Sequence, residues 1–173
     1  MHGRIYSLKA ENIEKQDIYD EDELFSYLIV RGVDYVKKVS MADFGVEVHI
    51  WIDDFLNNVL EGGGVEWTVC DEKYFVSIPM IVLEAYVENR IDEYKQRVQK
   101  ISYQNEVNKA RFGASAVEGE AGFEALGDFY DDLMIDGYGV PRSFFAWALE
   151  QIAKYGEKAT VKYEVVQIFS FHY

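Results

Sequence analysis

The stretch that most restricts this chain is its C-terminal run ATVKYEVVQIFSFHY, residues 159–173. It is dense in β-branched and aromatic residues, which suit a pleated, half-buried surface. Alternation predicts a strand with Val161, Tyr163, Val165, Phe169 and Phe171 on one face. A strand this long and apolar needs partners on its edges, because unpaired backbone groups recruit other chains. GRIYSL, residues 3–8, reads as a first partner, with Tyr6 and Leu8 on one face and Ile5 on the other. VEWTVCDEKYFVSI supplies two more strands, 65–69 and 74–78, around a polar Asp-Glu-Lys turn.

The rest of the pattern is largely helical. Asp20 and Glu23 have the spacing of a capping box, and Leu24, Leu28, Tyr35 and Val39, joined by Phe25 and Val36, continue at helical spacing. Gly32 weakens the middle of that helix by about 1 kcal/mol relative to alanine and marks a place where it can break. Lys37 and Lys38 suit its C-terminus. In FGVEVHIWIDDFLNNVLEGGG the VEVHI run alternates like a strand. From Trp51 onward, Ile52, Phe55, Leu56, Val59 and Leu60 mark one helical face that Gly62, Gly63 and Gly64 terminate.

Pro79 stands in the first turn of a long helix over 79–101, whose apolar seam runs Leu83, Val87, Ile91, Tyr94, Val98 and Ile101. FEALGDFYDDLMID, 123–136, is helical by period, and Pro141 opens a last helix that Gly156 ends. Between them, residues 102–122 are small and polar around a lone Phe112, and read as an exposed, mobile arm. The expected architecture is one α+β domain over 1–173. Its small, mainly antiparallel sheet holds both terminal strands and the central hairpin, packed with four to five helices.

Charge restricts function more than any motif does. Thirty-one acids oppose 17 bases, for a net charge of −14. The balance is uneven: Lys95, Arg97, Lys100, Lys109 and Arg111 against Glu106 give residues 95–111 a sum of +4 and leave −18 for the remainder. Such a field repels nucleic acid and anionic membranes and attracts basic partners. The opening MHGRIYSLKAENIEK lacks the apolar run of a signal peptide, and no window approaches the ~18 apolar residues of a membrane span. A cytoplasmic location is expected.

Motifs of catalysis are missing. There is no HExxH, no paired-histidine spacing and no Cys-x-x-Cys, so neither a metal nor another cofactor is expected. The triple glycine lacks the GK[ST] ending of a phosphate loop. Cys70 adjoins Asp71 and Glu72, whose charges disfavour a thiolate. No GxSxG appears, and Ser143 sits at the opening of a helix. His2 and His172 approach each other if the terminal strands pair, a proximity that need not mean ligation.

The densest acids lie in GDFYDDLMIDGYGVP. On a helical wheel, Glu124, Asp128, Asp131 and Asp132 cluster opposite Leu126, Phe129, Tyr130 and Leu133, a solvated face rather than a converging metal site. Asp136 belongs to the turn that follows. Together with Asp53, Asp54 and Tyr138, these acids form the candidate interaction surface. Lys100, Lys109, Arg111 and Phe112 form a candidate basic arm. In charge alone the chain resembles acidic decoys of DNA-binding enzymes, whose ordered carboxylates copy phosphates. The expected function is a non-enzymatic module that inhibits or neutralises a basic protein partner: a nucleic-acid-binding enzyme of a host defence system, or a toxin. The alternatives are a small-molecule or enzymatic site between sheet and helices near His49, Trp51 and Trp67, and a homo-oligomer (a homodimer, for instance) joined through the apolar C-terminal strand.

Overall fold

The computed structural model describes residues 2–14, 18–60, 64–99, 133–136 and 140–172. Its C-terminal run is the central strand of a seven-stranded sheet. The strands are β1 (His2–Ala10), β2 (Tyr35–Lys38), β3 (Glu66–Cys70), β4 (Lys73–Pro79), β5 (Leu133–Asp136), β6 (Arg142–Ser143) and β7 (Thr160–His172). Their order is β3-β4-β7-β1-β5-β6, with β2 also paired to β7. Four longer helices pack on them: α1 (Glu21–Leu28), α2 (Met41–Ile50), α3 (Met80–Gln99) and α4 (Phe144–Tyr155). The mixed α and β content agrees with the sequence. The sheet is larger than expected and is mixed, because β5 runs parallel to β1, from Ile5 opposite Leu133 to Leu8 opposite Asp136.

Strand β7 has β1 along one edge, from His2 opposite His172 to Ala10 opposite Tyr163. Two strands share its other edge. Strand β4 pairs with Thr160–Val165, and β2 pairs with Phe169–His172. The changeover coincides with a β-bulge: Ser7 lies opposite Gln167 but Leu8 opposite Val165, so Val166 has no counterpart on β1. The extra residue reverses the alternation. Tyr163, Val165 and Ile168 therefore face one core with Tyr6 and Leu8, while Phe169 and Phe171 face a second core with Ile5. This corrects the single face predicted for β7.

The larger core lies under α2, α3 and α4, where Trp147 stands between Phe144 and Tyr163 at ring distances of 5.3 and 5.5 Å. Tyr163 donates a hydrogen bond of 3.0 Å to Gln151 Oε1, which satisfies both buried polar groups. The smaller core holds Leu24 and Leu28 of α1, Val33, Val36, Leu133 and Ile135. Gln167 anchors the approach to α1: its Oε1 accepts from the Tyr19 N–H at 3.1 Å and its Nε2 donates to the Tyr19 carbonyl at 3.0 Å. Gly3 is fitted beneath Phe171, whose ring would lie 2.4 Å from any Cβ added there.

Several elements differ from their sequence pattern. The capping box of α1 is present, but the helix ends at Leu28 and tightens into a 3₁₀ turn, Ile29–Arg31. Gly32 then takes a left-handed conformation, φ 86°. Tyr35, Val36, Lys37 and Lys38 are strand rather than helix, because the open edge of β7 supplies backbone partners that an isolated helix end lacks. VEVHI goes the opposite way. Ser40 caps α2 by accepting from the Asp43 N–H, and Val48 is buried while Val46 is exposed. Leu133–Asp136 form a strand between β1 and β6, so Leu133 does not belong to the inner face of a helix and Asp136 is a strand residue rather than part of a turn. Pro79 ends β4, and Pro141 precedes β6 while Ser143 caps α4. The arm predicted at 102–122 lies outside the described residues.

The hairpin matches its prediction, and its turn is tighter than the polar triplet suggests. Cys70 faces Lys73, leaving Asp71 and Glu72 as a two-residue turn with φ values of 50° and 63°. Such turns match the twist of the strands and favour Asn-Gly, since side chains strain at positive φ. Glu72→Gly should therefore raise stability by about 1 kcal/mol, read as a higher urea midpoint. The bulge makes a second prediction. Deleting Val166 makes the Val165 and Gln167 pairings consecutive and keeps both cores, so cooperative unfolding should survive. Deleting Ile168 instead brings Gln167 into the larger core and should cost about 3 kcal/mol or more.

Candidate protein-interaction surface

Asp53 and Asp54 owe their position to an irregular helix. Beyond Ile50 the coil of α2 widens into π-helical turns over Trp51–Leu56, where the Asn57 N–H bonds to the Ile52 carbonyl. Such widenings concentrate at functional sites because they re-aim side chains. Here Trp51, Ile52 and Leu56 turn inward, while Asp53 and Asp54 both remain exposed. Neither aspartate has an ion-pair partner among the described residues. Some other carboxylates are paired, Glu47 with Arg4, Glu164 with Lys73, Glu150 with Arg142 and Glu11 with Lys162, while exposed acids such as Glu66 and Glu88 form no ion pair among the described residues.

The two aspartates close one end of an open groove of about 510 Å³ along the outer face of α2. Ala42, Gly45, Val46, His49 and Ile50 of α2 and Tyr74 of β4 line it. Gly45 is needed there, since an added Cβ would meet the Tyr74 hydroxyl at 2.5 Å. Tyr74 also leans on Phe44, with ring centroids 5.8 Å apart. The His49 ring meets the Trp67 ring edge-on at 4.4 Å and the Tyr74 ring at 6.1 Å. Two large aliphatic side chains are left in solvent on this face, Val46 at 59% exposure and Ile50 at 48%. An exposed apolar ridge on a folded helix marks a contact surface more often than isolated apolar residues do.

On the other flank of α2, Glu47 holds Arg4 through two hydrogen bonds, Arg4 Nε to Oε2 at 2.8 Å and Nη2 to Oε1 at 3.0 Å. They border a second depression of about 410 Å³ that reaches Tyr6, Trp51 and Phe55. Trp51 lies parallel to Tyr6, with centroids 4.4 Å apart and planes at 19°. Its Nε1 is buried without a hydrogen-bond partner among the described residues. Thus His49 and Trp67 come together at the surface, while Trp51 faces the interior.

The other candidates distribute as follows. Asp53 and Asp54 border the groove. Asp136 lies in β5, and only its backbone position is described. Glu124, Asp128, Asp131, Asp132, Tyr138, Lys100, Lys109, Arg111 and Phe112 lie outside the described residues. His2 and His172 are opposite one another in the sheet, and His172 Nδ1 lies 2.9 Å from Asp34 Oδ2. Cys70 is exposed, with its Sγ 3.7 Å from Asp71 Oδ2. Among the described residues, no group of three or more His, Cys, Asp or Glu side chains has a metal-holding arrangement. Among the described residues, no helix is long and apolar enough to cross a membrane. The ridge of Ala42, Val46 and Ile50 went unpredicted because VEVHI alternates like a strand. The i, i+4 spacing was its available signal.

The orphan indole gives a test of how Trp51 contributes. Trp51→Phe keeps a ring on Tyr6 and removes the unpaired N–H, so the lost volume and the relieved donor should offset to within about 1.5 kcal/mol. Trp51→Ala should cost about 3–5 kcal/mol by the same urea measurement. The chain matches no family model, no curated protein and no solved structure, so its function rests on the residues themselves.

Proposed function

We propose that this protein is an acidic, non-enzymatic binding module that inhibits or neutralises a basic protein partner. A nucleic-acid-binding enzyme of a host defence system and a toxin are the two partner types that fit. The observation that carries the reading is the pair Asp53 and Asp54: adjacent, exposed, and without an ion-pair partner among the described residues, beside an exposed apolar helix face. Carboxylates held for stability are usually paired or capping, as Asp20 and Glu47 are here. Unpaired acids in a field of −14 instead favour encounter with cations.

The partner is found by pull-down from the native host at low and high salt. Asp53→Lys with Asp54→Lys should reduce its capture several-fold at low ionic strength, with the difference shrinking as salt screens exposed charges beyond about 10 Å at 0.1 M. A second variant, with Asp128, Asp131 and Asp132 all changed to Lys, tests the acids grouped by the sequence. Capture unchanged in both variants at both salts would rule out the acidic surface as the contact.

A further inference from the structure

Resting on the reading above, we infer that the groove along α2 is a docking site for a basic amphipathic helix of the partner, seated between the Ala42–Val46–Ile50 ridge and Tyr74. Three observations select this occupant. The first is periodicity. Ala42, Val46 and Ile50 stand at i, i+4 and i+8, a ridge running about 12 Å along the helix, which is the form that interdigitates with a second helix. The second is the state of the neighbouring backbone. Strand β4, which supplies Tyr74, is paired to β3 on one side and to β7 on the other. An extended peptide entering the groove would gain no strand-addition hydrogen bonds from it, so this mode of peptide capture does not apply here. A helix brings its backbone already satisfied.

The third observation is charge. Asp53 and Asp54 stand at the Ile50 end of the ridge, both exposed and without an ion-pair partner among the described residues. An occupant whose apolar face ends in lysine or arginine places those charges against them. A second copy of this chain fits poorly, since two bodies of −14 repel. The apolar ridge then supplies affinity, and the aspartates set orientation and encounter rate. The surface resembles helix-in-groove recognition, read through anchors at i, i+3 or i+4.

The test uses the full chain and three labelled synthetic 18-residue peptides, followed by fluorescence anisotropy. The first is a helix with leucines on one face and lysines and arginines flanking them. The second has the same composition with the order scrambled to abolish the face. The third is an equally charged helix with alanine in place of leucine. The amphipathic peptide should bind at least about tenfold more tightly than either control, as burial of a few aliphatic side chains requires. Val46→Glu with Ile50→Glu should remove that advantage. Asp53→Asn with Asp54→Asn should weaken binding several-fold and flatten its salt dependence. All these side chains are exposed, and urea melts of each variant verify that it folds as the parent does.

Equal binding of all three peptides overturns the docking site and leaves the general attraction to cations standing. Loss of all binding overturns both the site and the function it rests on. Concentration-dependent dimerisation on sizing, abolished by Val46→Glu with Ile50→Glu, would assign the groove to a second copy of the chain instead.

Discussion

The sheet depends on the backbone ladder between β7 and its three neighbours. Every pairing of β1, β2 and β4 with β7 joins residues far apart in sequence, and these strands carry the buried rings of Tyr6, Tyr163, Phe169 and Phe171. Polar backbone groups removed from water must find partners, so β7 dictates where the other strands end and begin. Its bulge at Val166 lets one continuous strand serve two cores. Tyr163 and Val165 before it and Ile168 after it fill the space beneath α2, α3 and α4, while Phe169 and Phe171 pack with α1 on the opposite face. Were the same residues paired with β1 in unbroken register, Gln167 would face the larger core and Ile168 the smaller.

A second irregularity does for the surface what the bulge does for the core. The widened turns at Trp51–Leu56 bury a tryptophan, an isoleucine and a leucine while keeping two adjacent aspartates in solvent. A regular helix rotates about 100° per residue, so a run such as WIDDFLNNVL drifts in its facing over three turns. The π turns slow that drift. They keep Ile52, Leu56 and Leu60 in the core and leave Asp53 and Asp54 beside the apolar ridge of α2.

How far the sequence exposed all this depended on whether local pattern and tertiary demand agreed. The hairpin expected at 65–78 and the body of the helix expected at 79–101, described from Met80 to Gln99, were legible because each has one unambiguous period. Tyr35, Val36 and Val39 were misleading, since their spacing also continues the helix of Leu24 and Leu28. Tyr35 and Val36 became strand because β7 offered an edge, and Val39 lies just past its end. LMID at 133–136 carried too few residues to reveal a period, and its parallel place beside β1 follows from pairing alone. The bulge left no signature, as any residue near 166 could have been the extra one. Within the candidate surface, Asp53 and Asp54 stood out by charge, whereas Val46 and Ile50 were hidden inside a run that alternates.

The central place of β7 also bears on the order in which the molecule can assemble. It lies C-terminal to every strand it pairs with, so during synthesis at roughly 5–20 residues per second the earlier strands emerge before their partner exists. The β3–β4 hairpin can close at once. Strand β1 must wait for more than 150 residues to be made, since Ala10 pairs with Tyr163 and His2 with His172. Long-range closure of this kind slows folding and leaves strand edges exposed in the meantime. The net charge of −14 keeps those unfinished copies apart.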